Sequence, residues 1–320
     1  MVVGDDVLKK SGIHMDVLLD FSEIEHPIAL QLGGSDPETL RTATDIICSR
    51  NSYDEINLNC GCPSAIVTSN ERQFGARLMH DPELVRRCVS QISRAAGGGR
   101  IPVTVKCRLG TNERKGYAQL RDFVSTVSAE SGVSHFVVHA RECVLDGFTP
   151  KQNRCIPPLR PRWAHQLQAD FPHLTFSVNG GIYSLGMVER HLGLPGTAYG
   201  SYDGLKEAGA RTDQEVAEEW AWGDLPPVTS VMIGREAYNR PWLLSEADTR
   251  IFGERENPNL SRREVLDRYV TYGEDILAQY QARGHEISTR NLLKPLFMLF
   301  SGERCGRAWR RRLDKEWVER

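Results

Sequence analysis

The residues best suited to chemistry lie in one run, Asn57-Leu58-Asn59-Cys60-Gly61-Cys62-Pro63-Ser64, where a cysteine follows an apolar segment inside a Gly-Cys-Pro turn. Gly61 permits close backbone approach and Pro63 stiffens the loop, so the thiol of Cys62 can be held at the mouth of a barrel. The competing reading is a small buried hydrophobe. Further polar residues end other apolar runs: Gln31, Asn59, Lys106 with Arg108, His139 with Arg141, Asn179 with Gly180 and Gly181, and Gly234 with Arg235. The last two endings combine glycine backbone with an arginine, a composition that binds phosphate through main-chain N–H groups where a strand turns into a helix. Lys106 and His139 could face the same mouth, although a lone His is more often structural and a strand-end Lys more often solvated. Cys60 and Cys62 are spaced CxC with no second pair and no histidine cluster, so no metal site is expected. Neither GxGxxG nor GxxxxGK[ST] occurs, which removes the Rossmann and P-loop readings.

Elements that could position these residues are visible as short β-branched runs at 28–34, 55–60, 102–108, 135–140, 175–181 and 230–236. Helical patterns alternate with them, as in Asp81 to Ala95, where Leu84, Val85, Cys88, Val89 and Ile92 share one face behind an Asp-Pro start. Nearly continuous apolar strands alternating with helices imply a parallel sheet covered by helices, and polar residues gathered at the strand C-termini select an α/β, (β/α)8 barrel. Six strands are recognisable and nothing before Ile28 reads as a strand pair, so the barrel is expected to be incomplete at its N-terminus. Beyond Pro241 the pattern is helical only, with periodic segments at 262–280 and 289–300 and a basic end at 304–315. We therefore expect a barrel domain over 1–258, interrupted by an insertion at about 192–227, and a helical domain over 259–320.

The 320 residues carry a formal charge of −2, but residues 260–320 hold 13 Lys+Arg against 9 Asp+Glu, net +4. Any nucleic-acid affinity must come from that local clustering. No apolar run reaches the length of a membrane helix. The first ten residues are acidic in part and lack an apolar core, so no targeting peptide is expected, the compartment stays open, and the eight cysteines are expected to be reduced.

Read in order, the runs HPIALQLGGSDPETL, YDEINLNCGCPSAIVTS, FGARLMHDPELV, IPVTVKCRLG, FVVHARECVLDGFTPKQNRCIPPL, DFPHLTFSVNGGI and VMIGREAYNRPWLL resemble the tRNA-dihydrouridine synthases, most closely the branch acting on uridines 20 and 20a of the D-loop. The resemblance implies an FMN-containing TIM barrel with a helical tRNA-binding domain, reducing uridine to 5,6-dihydrouridine with NADPH as reductant. Carried over by position, Cys62 matches the catalytic acid that protonates C5 of uracil. Gln31, Lys106 and His139 match residues that contact the flavin, and Asn179, Gly180, Gly181, Gly234 and Arg235 match its phosphate cradle. Asn59, Lys151 and Arg154 match positions that touch tRNA near the target base. The same resemblance leads us to expect that the first two barrel strands are missing, with the insertion at 192–227 as a second departure. A monomer is expected once the barrel is complete, with tRNA as partner and neither membrane nor metal. Two other readings stay open on the sequence: a catalytically impaired product that still binds tRNA, and a small-molecule flavin-dependent pyrimidine reductase, against which the basic tail argues.

Overall fold

The computed structural model describes residues 1–68, 73–195, 222–223 and 225–318. Residues 1–181 with 191–232 form one compact unit, and 182–190 with 233–320 form a second.

The first unit contains, among the described residues, seven parallel strands: β1 (Val2–Val3), β2 (Ala29–Gly33), β3 (Glu55–Cys60), β4 (Val103–Arg108), β5 (His135–His139), β6 (Thr175–Asn179) and β7 (Ser230–Met232). Their order in the sheet is the order in the chain, β1 to β7, which is the arrangement of a (β/α) barrel, where each crossover returns to the next position. The sequence expectation of six strands is corrected by β1, which pairs Val2 with Leu32 and Val3 with Gly33. Two residues are too few to leave a periodic signal. The pairing is favoured by a bare backbone opposite: a Cβ on Gly33 would lie 2.7 Å from Phe74 Cε2 and 3.0 Å from Met1 Sδ.

Helices follow the strands with caps that explain their starts. Asp36 accepts a hydrogen bond from Thr39 N (2.7 Å) ahead of the helix Pro37–Arg50, and Asp81 does the same for Leu84 N (2.9 Å) ahead of Pro82–Ala95. Each carboxylate satisfies an N–H that the helix cannot, and each following proline needs none. Leu40, Ala43 and Ile47 on the first helix and Val85, Cys88, Val89 and Ile92 on the second are fully buried. The strands are two-faced. Ile56, Leu58 and Cys60 of β3, Val103, Val105 and Cys107 of β4, and Phe176 and Val178 of β6 alternate with polar residues, Phe136 and Val138 of β5 flank Val137, and all are buried. The alternate face carries Gln31, Asn57, Asn59, Thr104, Lys106, Arg108, His135, His139, Ser177 and Asn179. A polar strand face in a buried parallel sheet demands internal partners, and those partners build the site.

The second unit is helical apart from its connections. Arg262–Ala282 begins with a capping box in which Ser261 and Glu264 satisfy each other's backbone N–H. The expected helix 289–300 is instead Thr289–Leu293 followed by a tighter turn, Lys294–Met298, because Pro295 has no N–H to continue the ladder. Arg262 stacks 4.3 Å above Trp242 and pairs with Glu303 at 2.8 Å, while Trp309 Nε1 donates to Leu296 O at 2.7 Å. The basic end forms the helix Gly306–Val318. Most of the expected insertion at 192–227 lies outside the described residues.

Candidate active site

The strand β3 delivers two cysteines to different surroundings. Cys60 is completely buried on the apolar face, and burial raises its thiol well above the usual range. Cys107 and Cys143 are buried too, and burial pushes them up to about 12 and about 11. Cys62, two residues past Cys60 and in the loop, keeps partial access to solvent. Its position is set from both sides. The Asn59 side chain folds over the strand end, and its Oδ1 accepts from Gly61 N (3.1 Å) and Cys62 N (2.9 Å). On the other side Cys62 O accepts from Ala76 N at 2.9 Å. That contact requires glycine at 75: φ is 69°, and a Cβ there would sit 2.6 Å from Cys62 O.

Arg108, at the end of β4, is 4% exposed and gives its hydrogen bonds to main-chain carbonyls of three segments: Gly61 O (3.0 Å), Glu142 O (3.1 Å) and Asn153 O (2.8 Å). Burial lowers its pKa, and nearby Arg141 and Arg154 add to that. One guanidinium thus joins the Cys62 loop to the loop after β5 that bears Lys151 and Arg154. Asn153, itself fully buried, closes that second loop by accepting from Val144 N and donating to Val144 O, both at 2.8 Å. Lys151 and Arg154, on either side of the short turn Gln152–Arg154 or in it, stay exposed.

The remaining expected residues of this unit converge on the polar face. Gln31 and Asn59 are hydrogen-bonded at 2.8 Å. Lys106 Nζ donates to Asn179 Oδ1 at 3.0 Å, and Asn179 Nδ2 donates to Met232 O at 2.9 Å. His139 is the register partner of both Arg108 and Asn179. Gly180 (φ 102°) and Gly181 (φ 73°) follow β6 in conformations that favour glycine, and a Cβ on Gly180 would lie 3.1 Å from the His139 ring. As a donor set, Gln31, Lys106, His139, Asn179 and the bare backbone of Gly180 and Gly181 offer N–H groups and one cation with no carboxylate, which suits an electron-rich ring bearing a phosphate. Gly234 and Arg235 belong to the second unit, where Gly234 precedes the helix Arg235–Asn239. Among the described residues no group of His, Cys, Asp and Glu is placed to hold a metal ion, and no helix is long and apolar enough to cross a membrane.

The sequence marks Arg108 only as a polar strand end and gives no role to Asn153, Gly75 or Thr104. For Asn153 a signal existed, since it stands between two expected substrate residues. For Gly75 there was none, because its requirement comes from a carbonyl thirteen positions earlier in the chain.

Burial pushes Lys106 down to about 8 from an ordinary 10.5, with Arg108 contributing in the same direction. Between these values the folded chain binds fewer protons than the unfolded chain, so this group makes stability rise with pH across that window; the cost of keeping it charged is full below about 8. The cation itself is lost on the same rise. Turnover that needs it is expected to fall above about pH 8, with a limb that disappears in Lys106→Met. A rate profile of the parent that stays flat to pH 10 would exclude this role.

A parallel β/α sheet in chain order, with an accessible thiol and a cation at the strand C-termini, is the architecture of a barrel enzyme. The family model "Dihydrouridine synthase (Dus)" matches residues 2–198 and 226–317, and the chain belongs to this family of oxidoreductases. The break in the match falls within the segment 192–227. The tRNA-dihydrouridine(20/20a) synthase of Vibrio vulnificus (strain CMCP6) is 39% identical over 93% of this chain and 77% of that protein. Enzymes of the same name from Salmonella typhi (40% identical, 93% of this chain, 76% of that protein) and Synechocystis sp. (39%, 93% and 75%) are similar to the same extent.

Proposed function

We propose that this chain reduces uridine in tRNA, at positions 20 and 20a of the D-loop, to 5,6-dihydrouridine, using FMN and NADPH. The observation that carries the reading is the placement of Cys62: a part-exposed thiol on a loop that Arg108 ties directly to the loop of Lys151 and Arg154. The C5=C6 bond of uracil is conjugated to the C4 carbonyl, so addition of hydride at C6 sends charge onto the O4–C4–C5 system and C5 must then be protonated. FMN, when bound, supplies that hydride, its electrons coming from NADPH. Cys62 Sγ donates the proton to C5, in the role of general acid. Gln31, Lys106 and His139 hold the flavin ring and side chain, with Asn179, Gly180 and Gly181 at its phosphate. Lys106 contributes positive potential while protonated. Asn59, Lys151 and Arg154 touch tRNA near the target base, which must leave its stack to reach the mouth.

The barrel domain spans 1–258 in this reading and the tRNA-binding domain 259–320, whose excess of Lys and Arg suits a phosphate backbone. A monomer is sufficient, because every residue assigned a role lies on one chain. The test is spectroscopic. Protein reconstituted with FMN and bleached by NADPH without oxygen is expected to regain its yellow colour on mixing with unmodified tRNA, and not with tRNA already carrying dihydrouridine. Recolouring with free uracil at the same rate would favour a small-molecule reductase and overturn the assignment.

A further inference from the structure

Five side chains on the polar face of β2, β3 and β4 form a hydrogen-bond chain in which every link runs the same way. Gly61 N and Cys62 N donate to Asn59 Oδ1; Asn59 Nδ2 donates to Gln31 Oε1 (2.8 Å); Gln31 Nε2 donates to Asn57 Oδ1 (2.8 Å). Asn57 Nδ2 then donates to Thr104 Oγ1 (2.7 Å), and the Thr104 hydroxyl donates to Glu55 Oε1 (2.5 Å). The direction is dictated by chemistry at both ends. Backbone N–H groups can only donate, so Asn59 must turn its oxygen to the Cys62 loop and its nitrogen to Gln31. A carboxylate accepts, so the Thr104 hydrogen must go to Glu55, leaving its oxygen for Asn57. Both ends require one orientation of each amide between them. Turning any one of the three amides over would set like against like at positions where Asn57, Asn59 and Thr104 are 4%, 8% and 3% exposed, and buried unmatched polar groups are costly.

We propose that Thr104 and Glu55 are positioning residues that, together with the N–H groups of Gly61 and Cys62 at the other end, lock the orientation of the Gln31 and Asn59 amides, so that the mouth offers the target base a hydrogen-bond donor. A carboxamide nitrogen has two hydrogens. Asn59 gives one to Gln31 and, among the described residues, retains the other for a ligand. The C4 carbonyl of uracil accepts such a hydrogen, whereas the amino group of cytosine at the same place would oppose donor to donor. The chain therefore selects uracil over cytosine, and it also shapes the Cys62 loop through the two backbone hydrogen bonds at its top. This inference rests on the reading that Asn59 touches the target base.

Two readouts test it together: hydrogen exchange at the Gly61 and Cys62 amides in the whole protein, and steady-state dihydrouridine formation on tRNA. In Thr104→Val, nearly isosteric but unable to donate or accept, both amides are expected to exchange about tenfold faster, because their acceptor is no longer held. The same variant is expected to lose about tenfold in kcat with KM for tRNA within about twofold, since the phosphate contacts are untouched. Thr104→Ser, which keeps the hydroxyl, restores both. Glu55→Gln keeps an acceptor and is expected to behave as the parent, whereas Glu55→Leu behaves as Thr104→Val; if the valine variant fails to fold, this pair carries the comparison. Parental exchange and turnover in Thr104→Val, no rescue by serine, or an equal loss in both Glu55 variants would overturn the proposal. If the parent itself forms no dihydrouridine, the functional reading falls, and the exchange comparison still decides whether Thr104 and Glu55 hold the loop.

Discussion

Cys62→Ala is expected to lower uridine reduction by about 10² to 10⁴-fold, the range a positioned general acid contributes, while leaving flavin and tRNA affinity near those of the parent. Among the described residues the Cys62 thiol makes no hydrogen bond; the loop is held by its backbone, through Asn59 Oδ1 and Ala76 N, and alanine preserves both contacts. The loss should therefore appear in a single turnover with enzyme reduced beforehand, and should be absent from the rate at which NADPH reduces the cofactor. The neighbouring thiol of Cys143 does not replace it, because it is fully buried. An alanine variant that converts uridine at the parental rate in that experiment would return Cys62 to the class of small packing residues.

Arg108→Met carries the largest expected effect on stability. The substitution keeps much of the aliphatic volume and removes every donor, so the carbonyls of Gly61, Glu142 and Asn153 lose their partner together. An unpaired buried polar group costs about 1–3 kcal/mol, and partial relaxation of three such groups places the total at about 3–5 kcal/mol. Equilibrium unfolding in urea, followed through the aromatic residues of the barrel, measures this directly. Activity should fall further than stability requires at temperatures where the variant is folded, because the Cys62 loop and the loop of Lys151 and Arg154 are no longer tied to one side chain. Arg108→Lys is not expected to rescue it: a single ammonium cannot reach three carbonyls that a planar guanidinium meets along different directions. A loss below about 1 kcal/mol in Arg108→Met would show that water or a neighbour satisfies these carbonyls.

Much of this arrangement was legible in the sequence because it is written in local patterns. Strands β2 to β7 announce themselves as β-branched runs, and the helix that follows Asp81 as Asp-Pro with an apolar stripe. The gathering of Gln31, Asn59, Lys106, His139 and Asn179 on one face follows from strand alternation once the runs are aligned at their ends. What could not be read has a common physical cause. Strand β1 is two residues long and exists by pairing with Leu32 and Gly33, a long-range event. Arg108 acts on main-chain carbonyls 47, 34 and 45 residues away in its three bonds, and a carbonyl belongs to every residue alike. The one-way chain from Cys62 to Glu55 depends on which atom of each amide faces which neighbour, and the one-letter code does not contain that choice.

Reduction of uridine by this chain is read most directly in the mass of the tRNA product. Unmodified tRNA incubated with this chain, FMN and NADPH, then digested and weighed by fragment, is expected to show one D-loop fragment heavier by two hydrogen atoms for each uridine reduced at positions 20 and 20a, with the same fragment unchanged when Cys62→Ala is used for the same time. A D-loop fragment of unaltered mass, from protein that holds FMN and is reduced by NADPH, would contradict it.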